Sequence, residues 1–422
     1  MQLRSLASCL FLLSSALWLA AAIPDSQPRQ GLPNFFKKLN EGKGVAIAYF
    51  GGSITAQEGW RPKTLKWFRQ QFTNAAIDEI HAAIGGTGSD LGVFRFQQDV
   101  LAHQPDLVFV EFAVNDAGAP VDQILRCMEG IVRQGWKADP SIDFCFIYTI
   151  AGNMLKTYQT GRKPRSVTAM ETVAEHYGIP SINLGPEVAR LESEGKLVFN
   201  APKPKTEEEA EALKGKLLFS PDGVHPYPEG GHDLYLDAIV RAIPGIRAAG
   251  EPGPHATGES LMADNYEKAK LLPLSRAQLS SGWEKLPSTN AMAKRFRKQL
   301  PQLYKADKPG ESITFKFKGT QAGIYDLLGP DCGQVTITLD DKPPVTKPRF
   351  DSFSTYHRLG TLKVGENLQN GIHTVQLQIH PEQPDKPKIL EQRKEKIDDP
   401  KRYDGTTWYA GALMLIGDLI KE

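Results

Sequence analysis

A chain of 422 residues exceeds one ordinary domain and predicts two. Its 50 Lys and Arg against 49 Asp and Glu leave a net charge of +1, so bulk charge gives no support to a nucleic-acid or anionic-membrane partner. With 41% hydrophobic and 23% charged residues, the composition is that of a globular protein able to bury sizeable cores.

The first 22 residues read as a signal peptide. Arg4 precedes an apolar run from Leu10 to Leu19, which ends in Ala20-Ala21-Ala22. The run is too short to span a membrane comfortably, so cleavage is expected rather than a retained anchor. Cys9 precedes the apolar run, against lipidation. A secreted or periplasmic protein without stable membrane insertion follows as the expectation. Cys127, Cys145 and Cys332 then remain, an odd number, expected as buried free thiols; a Cys127–Cys145 bridge is not predicted.

Short runs apolar on both parities follow at Val45–Phe50, Ile77–Ile84, Leu107–Ala113, Phe144–Ile150 and Ser181–Leu184. They are expected as strands buried on both faces. Helical patterns near 62–72, 91–103, 120–136 and 165–177 separate them, and the alternation predicts a parallel sheet covered on both sides. The charged stretch 203–216 reads as a solvated helical excursion, and a helix near 229–242 closes this first domain, taken as 31–250. A Pro- and Gly-rich linker follows at 243–254. From 258 to 422 the pattern alternates with period 2, at Ser312–Lys318, Gly333–Asp340 and His373–His380, and predicts a β-sandwich, jelly-roll-like. Residues 381–405 read as an exposed loop.

Four loops carry candidate chemistry. In AYFGGSIT (48–55) a strand runs through two glycines into Ser53, at the sheet edge where open α/β folds place their sites. A helix start there offers free N–H groups to a developing oxyanion. Read alone, Gly-Gly-Ser is no better as a nucleophile than as a helix cap. In SPDGVHP (220–226), Asp222 and His225 stand three apart in a loop stiffened by Pro221 and Pro226. That spacing lets the carboxylate hold the imidazole while its other nitrogen takes a proton from Ser53, although an Asp-Gly turn beside a surface histidine explains it equally. In AAIGGTGSD (82–90) the glycines allow a backbone N–H near Gly86 to face a site. In FVEFAVND (109–116) Asn115 has an amide to donate to the same oxyanion, or serves only as a turn residue. The four loops follow successive strands, in the order serine, glycine, asparagine, then aspartate and histidine.

Together these segments resemble the four sequence blocks of the SGNH hydrolases, also called GDSL esterases, over roughly residues 44–245. The resemblance implies a three-layer α/β/α, flavodoxin-like domain with five parallel strands. It puts the nucleophile on Ser53, the acid and base on Asp222 and His225, and the oxyanion hole on Ser53, Gly86 and Asn115. No metal or cofactor is implied. Two positions depart from the pattern: Gly52 stands for an acidic residue, and Ala113 for a glycine.

Export and an appended β-domain look like carbohydrate esterases, so the expected substrate is an O-acyl, most simply O-acetyl, carbohydrate ester. Trp60, Arg61 and Asp116 are the candidate substrate contacts, with Trp60 equally readable as core. FDSFSTYHR (350–358) carries aromatics suited to sugar, but packing against the first domain is the stronger expectation. A set of His225, His232 and Asp233 lacks the i, i+4 histidine pair of a metal site. His81, His103, His176, His255, His357, His373 and His380 show no partner signature. A small-acyl esterase or thioesterase, and a glycan-binding protein without turnover, are the rival readings.

Overall fold

The computed structural model describes residues 23–420; the expected signal peptide lies outside them. Six strands form the first sheet, in the order β1-β6-β5-β4-β2-β3. They are β1 (Ser26–Gln27), β2 (Val45–Gly51), β3 (Ile77–His81), β4 (Leu107–Glu111), β5 (Asp143–Tyr148) and β6 (Ser181–Asn183). The last five are mutually parallel, as the sequence predicts, and the two-residue β1 adds antiparallel to β6.

Why the runs are apolar on both parities is visible in β2. Ala48 and Phe50 enter one core with Val108, Val110, Phe144 and Phe146. Ile47 and Tyr49 enter another with Leu107, Phe109, Cys145 and Ile147. Successive side chains of a strand point to opposite faces, so a sheet covered on both sides needs both parities apolar. Helices α4 (Ser89–Asp99), α5 (Val121–Ala138) and α7 (Arg165–Tyr177) cover the first face. Helices α1 (Pro33–Asn40), α3 (Trp60–Gln71), α8 (Gly185–Ser193) and α10 (Gly231–Arg247) cover the second. Between them in the chain lie the one-turn α2 (Ser53–Ala56), α6 (Gly152–Gln159) and α9 (Glu207–Ala212). Each large apolar side chain so buried contributes about 1.5–3 kcal/mol.

The first domain departs from expectation in detail. The excursion at 203–216 holds only the short α9, and it connects two parallel strands, β7 (Leu197–Asn200) and β8 (Leu217–Ser220), that follow α8. The run expected to be strand through Ile84 leaves regular pairing at His81, although Ala82 and Ile84 still donate to Tyr49 and Gly51.

After α10 the chain forms an antiparallel sheet of ten strands, β9 (Ala269–Pro273), β10 (Gln278–Leu279), β11 (Glu284–Lys285), β12 (Tyr304–Ala306), β13 (Ser312–Leu328), β14 (Gln334–Leu339), β15 (Val345–Pro348), β16 (Arg358–Gly365), β17 (Gly371–Ile379) and β18 (Trp408–Leu419). The long β13 organises it. Residues 312–319 pair with β17, residues 322–328 with β16, and β18 lies along its other edge. Partner exchange happens at Gly319, where a Cβ would lie 2.2 Å from the Ile416 carbonyl, so only glycine admits the crossing backbone. One face of this sheet closes over its own core. From the other face, Tyr325, Leu327, Met414 and Ile416 join the core beneath α4 and α5.

Three smaller expectations are corrected. Residues 381–405 are not wholly exposed, since Leu390 and Tyr403 pack on Phe350 and Lys386 is buried. Within 350–358, Phe350 therefore packs inside the sheet domain rather than against the first, while Phe353 and Tyr356 stay exposed. His255, His357 and His373 do have partners, in Asp143, Asp331 and Asp340. The three cysteines of the described residues are buried and free. Among those residues no helix is long and apolar enough to cross a membrane.

Candidate active site

Strand β2 delivers the chain to Gly51 and Gly52, and Ser53 opens α2. The turn is tight at both glycines. A Cβ at 51 would lie 2.6 Å from the Glu111 carbonyl oxygen, and one at 52 would lie 1.9 Å from Asn115 Oδ1. The Asn115 amide thus lies directly across Gly52, so a side chain at 52 would have to displace it.

Strand β8 delivers the second half of the site. The buried Ser220 hydroxyl accepts the N–H groups of Asp222 (3.3 Å) and Gly223 (2.9 Å) and donates to Asp222 Oδ1 at 3.1 Å. Oδ1 also accepts the N–H groups of Val224 (2.9 Å) and His225 (2.8 Å). Gly223 takes a left-handed φ of +78°, and its carbonyl accepts the Gly152 N–H at 2.8 Å, tying this loop to the chain leaving β5.

His225 Nδ1 lies 2.7 Å from Asp222 Oδ2, and Nε2 lies 2.8 Å from Ser53 Oγ. Burial pushes the Asp222 carboxyl upward, but the bonds from the His225 ring, the His225 and Val224 amides and the Ser220 hydroxyl outweigh it and hold the group well below the usual carboxylate range. An ionised carboxylate only accepts, so Nδ1 carries a proton, and in the neutral form of the ring Nε2 is then free to accept from the Ser53 hydroxyl.

The glycine loop runs beside Ser53. Gly85 is the nearer residue, since a Cβ there would lie 3.7 Å from the Ser53 Cβ. Gly86 adopts φ +72° in open space. The Thr87 hydroxyl donates to the Ile84 carbonyl at 2.8 Å, and the Ser89 N–H donates to Asp116 Oδ1 at 3.0 Å, so the loop is braced on both sides. Asp116 is 3% exposed. Burial pushes its carboxyl up to about 7, against the bonds from Ser89 and with help from Asp90 and Glu111.

Ser53, Asp222, His225, Asn115 and the 85–86 glycines therefore converge at one sheet edge. The expected substrate contacts do not. Trp60 is fully buried and packs edge-on against Tyr49 and Phe109. Arg61 is buried too; it donates to the Thr55 carbonyl at 3.0 Å and pairs with Glu58 and Glu79. Both belong to the frame beneath α2, because α3 turns its first residues inward. Asp116 is likewise a brace, behind the glycine loop rather than in front of it.

The metal reading of His232 fails, since its buried ring accepts the Trp60 N–H at 3.1 Å while Asp233 pairs with Lys63. In the sheet domain Asp331, Cys332 and His357 bring ligand atoms within 4.8 Å of one another. His357 Nε2 and Asp331 Oδ1, however, stand 2.6 Å apart, a direct hydrogen bond that leaves no ion between them. A cleft of about 520 Å³ lined by Trp136, Tyr177 and His255 lies under residues 250–259; it holds none of the converging residues. Two residues escaped the sequence reading, Ser220 and Glu111. Ser220 precedes the Asp-Gly turn and was a signal to be found; Glu111 is hidden inside an apolar run.

Residues 49–232 match the GDSL-like Lipase/Acylhydrolase family. An uncharacterized lipoprotein, YqeF, of Bacillus subtilis (strain 168) is 34% identical over 84 residues, 18% of this chain and 35% of that protein. Crystal structures of a two-domain esterase (CEX) active on acetylated mannans, with and without mannopentaose, share the fold at TM-scores of 0.68 and 0.69. Each is 20% identical, with 94% of this chain and 97% of that chain aligned, so the likeness extends over both the α/β and the antiparallel halves.

Proposed function

We propose, since residues 49–232 belong to the GDSL-like lipase/acylhydrolase family, that this protein is a carboxylic ester hydrolase acting through a Ser53–His225–Asp222 triad. The observation that carries the reading is the relay itself: hydroxyl to imidazole at 2.8 Å, imidazole to carboxylate at 2.7 Å. His225 Nε2 accepts the Ser53 proton as Oγ attacks the ester carbonyl. Asp222 holds the tautomer and stabilises the imidazolium. The carbonyl oxygen gains negative charge and receives the amides of Ser53 and Gly86 and the Asn115 side chain. His225 then returns the proton to the departing alcohol, leaving an acyl-Ser53 ester. A water deprotonated by His225 releases the acid and restores the hydroxyl.

The substrate proposed is an O-acetyl ester on carbohydrate, supported by the likeness to an esterase active on acetylated mannans across both halves. Export through a cleaved signal peptide at residues 1–22 is part of the same proposal, and the N-terminus of the mature protein tests it. Purified protein is to be assayed on p-nitrophenyl acetate, hexanoate and octanoate and on acetylated mannan and xylan, beside Ser53→Ala. Acetyl turnover lost in the variant by a factor on the order of 10⁴ or more is expected. Turnover that survives in Ser53→Ala removes the triad; preference for octanoyl esters over acetylated glycan favours the small-acyl reading.

A further inference from the structure

Glu111 is the last residue of β4 and is fully buried. Its carboxyl meets three donors. The Thr55 hydroxyl donates to Oε2 at 2.7 Å, the Thr149 hydroxyl donates to Oε1 at 2.7 Å, and the Gly52 backbone N–H donates as well. None of the ion pairs of the described residues includes it, and burial raises its pKa against those three bonds.

The donors come from the parts that must be held at fixed separation. Gly52 immediately precedes Ser53, and Thr55 follows it within α2. Thr149 follows β5, three residues before Gly152, whose N–H holds the Gly223 carbonyl between Asp222 and His225. Tyr235 of α10 reinforces this segment, donated to by the Ile150 N–H at 3.1 Å. Asn115 lies four residues further along the loop that Glu111 begins. One buried carboxyl therefore spans the nucleophile turn and the segment that carries the base loop, and it stands at the start of the loop that carries Asn115.

The chemistry favours a carboxyl here. A backbone N–H only donates, and two hydroxyls aimed at it also donate, so the centre must accept three times with two oxygens. A carboxylate has the lone pairs for this; a carboxamide offers one oxygen and turns two N–H donors toward the remaining hydroxyl. Burial without such donors would be costly, and their number accounts for a charge-bearing group in an otherwise apolar strand end.

Resting on the esterase reading above, we infer that Glu111 is a positioning residue of the reaction: it fixes the distance of Ser53 from His225 and of both from Asn115, without touching substrate. Reacting groups misplaced by an ångström lose about 10²-fold in rate, so the cost falls on kcat. Glu111→Gln, Glu111→Ala and Thr149→Val are to be compared with wild type in ester kinetics, in the rate of stoichiometric labelling of Ser53 by a fluorophosphonate, and in thermal melts. Glu111→Gln is expected to lower kcat and the labelling rate together, by about 10- to 100-fold, with KM within a factor of about two and a cooperative melt retained. Thr149→Val, which keeps the side-chain shape and removes one donor, is expected to shift both rates in the same direction by a smaller factor. Wild-type kcat and labelling in Glu111→Gln, or in Thr149→Val should the glutamine variant not fold, overturn the inference. So does a loss confined to the fraction folded. Wild-type protein that neither turns over an ester nor labels at Ser53 overturns the esterase reading instead.

Discussion

Position 52 concentrates the geometry of the site in a single missing side chain. The Asn115 amide occupies the volume that any Cβ at 52 would need, at 1.9 Å from Asn115 Oδ1. Gly52→Asp, which restores the acidic residue of the related sequence pattern, should therefore displace Asn115 and take a donor from the proposed oxyanion hole. A loss on the order of 10²–10³ in kcat is expected for one such donor, with the fold intact by circular dichroism. Unchanged kcat in Gly52→Asp would show that Asn115 moves without consequence. The same neighbourhood shows why residue-level reading from sequence divides as it does. Ser53, Asn115, Asp222 and His225 are legible because each lies just past a strand end, where polar residues between apolar runs stand out. Trp60 and Arg61 follow Ser53 closely, but nearness in the chain says nothing of direction: α3 starts with the Trp60 indole in the core. Glu111 is hidden for the opposite reason, as one polar letter inside a hydrophobic run.

At the scale of elements, α4 is held to the asparagine loop by Asp116, and that brace is sensitive to pH. Unfolded, such a carboxyl ionises near 3.8; in the fold burial retains the proton to about 7. Between those values the unfolded chain has released a proton that the folded chain keeps, so the stability linked to this group is full below about pH 4 and is lost as pH rises to about 7. Across that window the loss amounts to roughly 4 kcal/mol. Asp116→Asn cannot ionise, and its stability relative to wild type should rise by an amount of that order between pH 4 and pH 7, read from denaturant unfolding at each pH. A difference that stays constant with pH would place the carboxyl in an ordinary solvated environment. Elements are legible where burial is two-sided: the five parallel strands follow from apolar runs on both parities, and α7 spans the predicted 165–177 and ends at Gly178, which takes φ +66°. Elements with weaker patterns escaped. Strands β7 and β8 are four residues each and flank a charged excursion, and α8 is nine residues on the same side of the chain. Their place is fixed by packing on Phe199, Phe219 and Tyr235, contacts that no local window contains.

At the scale of the whole molecule, the two halves share a core rather than merely adjoin. Leu91, Val93 and Phe94 of α4 belong to the same buried cluster as Tyr266 and Ala269, Tyr325 and Leu327, and Met414 and Ile416. Period-2 patterning announced a second domain but not this joint, because alternation marks one face as apolar and β13 uses both: Ile324 enters the sheet domain's own core and Leu327 the shared one. The chain between the halves is fastened as well. Leu261 and Met262 donate their N–H groups to Glu129 of α5, and His255 stacks on Trp136 at 4.8 Å between ring centroids. Such a joint couples the stability of the candidate active site to that of a sheet that contributes none of the proposed triad. Leu327→Ala removes a fully buried side chain from the shared core, and Leu377→Ala removes one from the sheet domain alone. Each should cost about 2–5 kcal/mol. If the halves unfold as one unit, both variants lower the temperature at which ester hydrolysis is lost, and each shows a single calorimetric transition that coincides with that loss. Hydrolysis by Leu377→Ala that persists to the wild-type temperature, while a separate transition appears below it, would mean that the α/β half stands without the sheet.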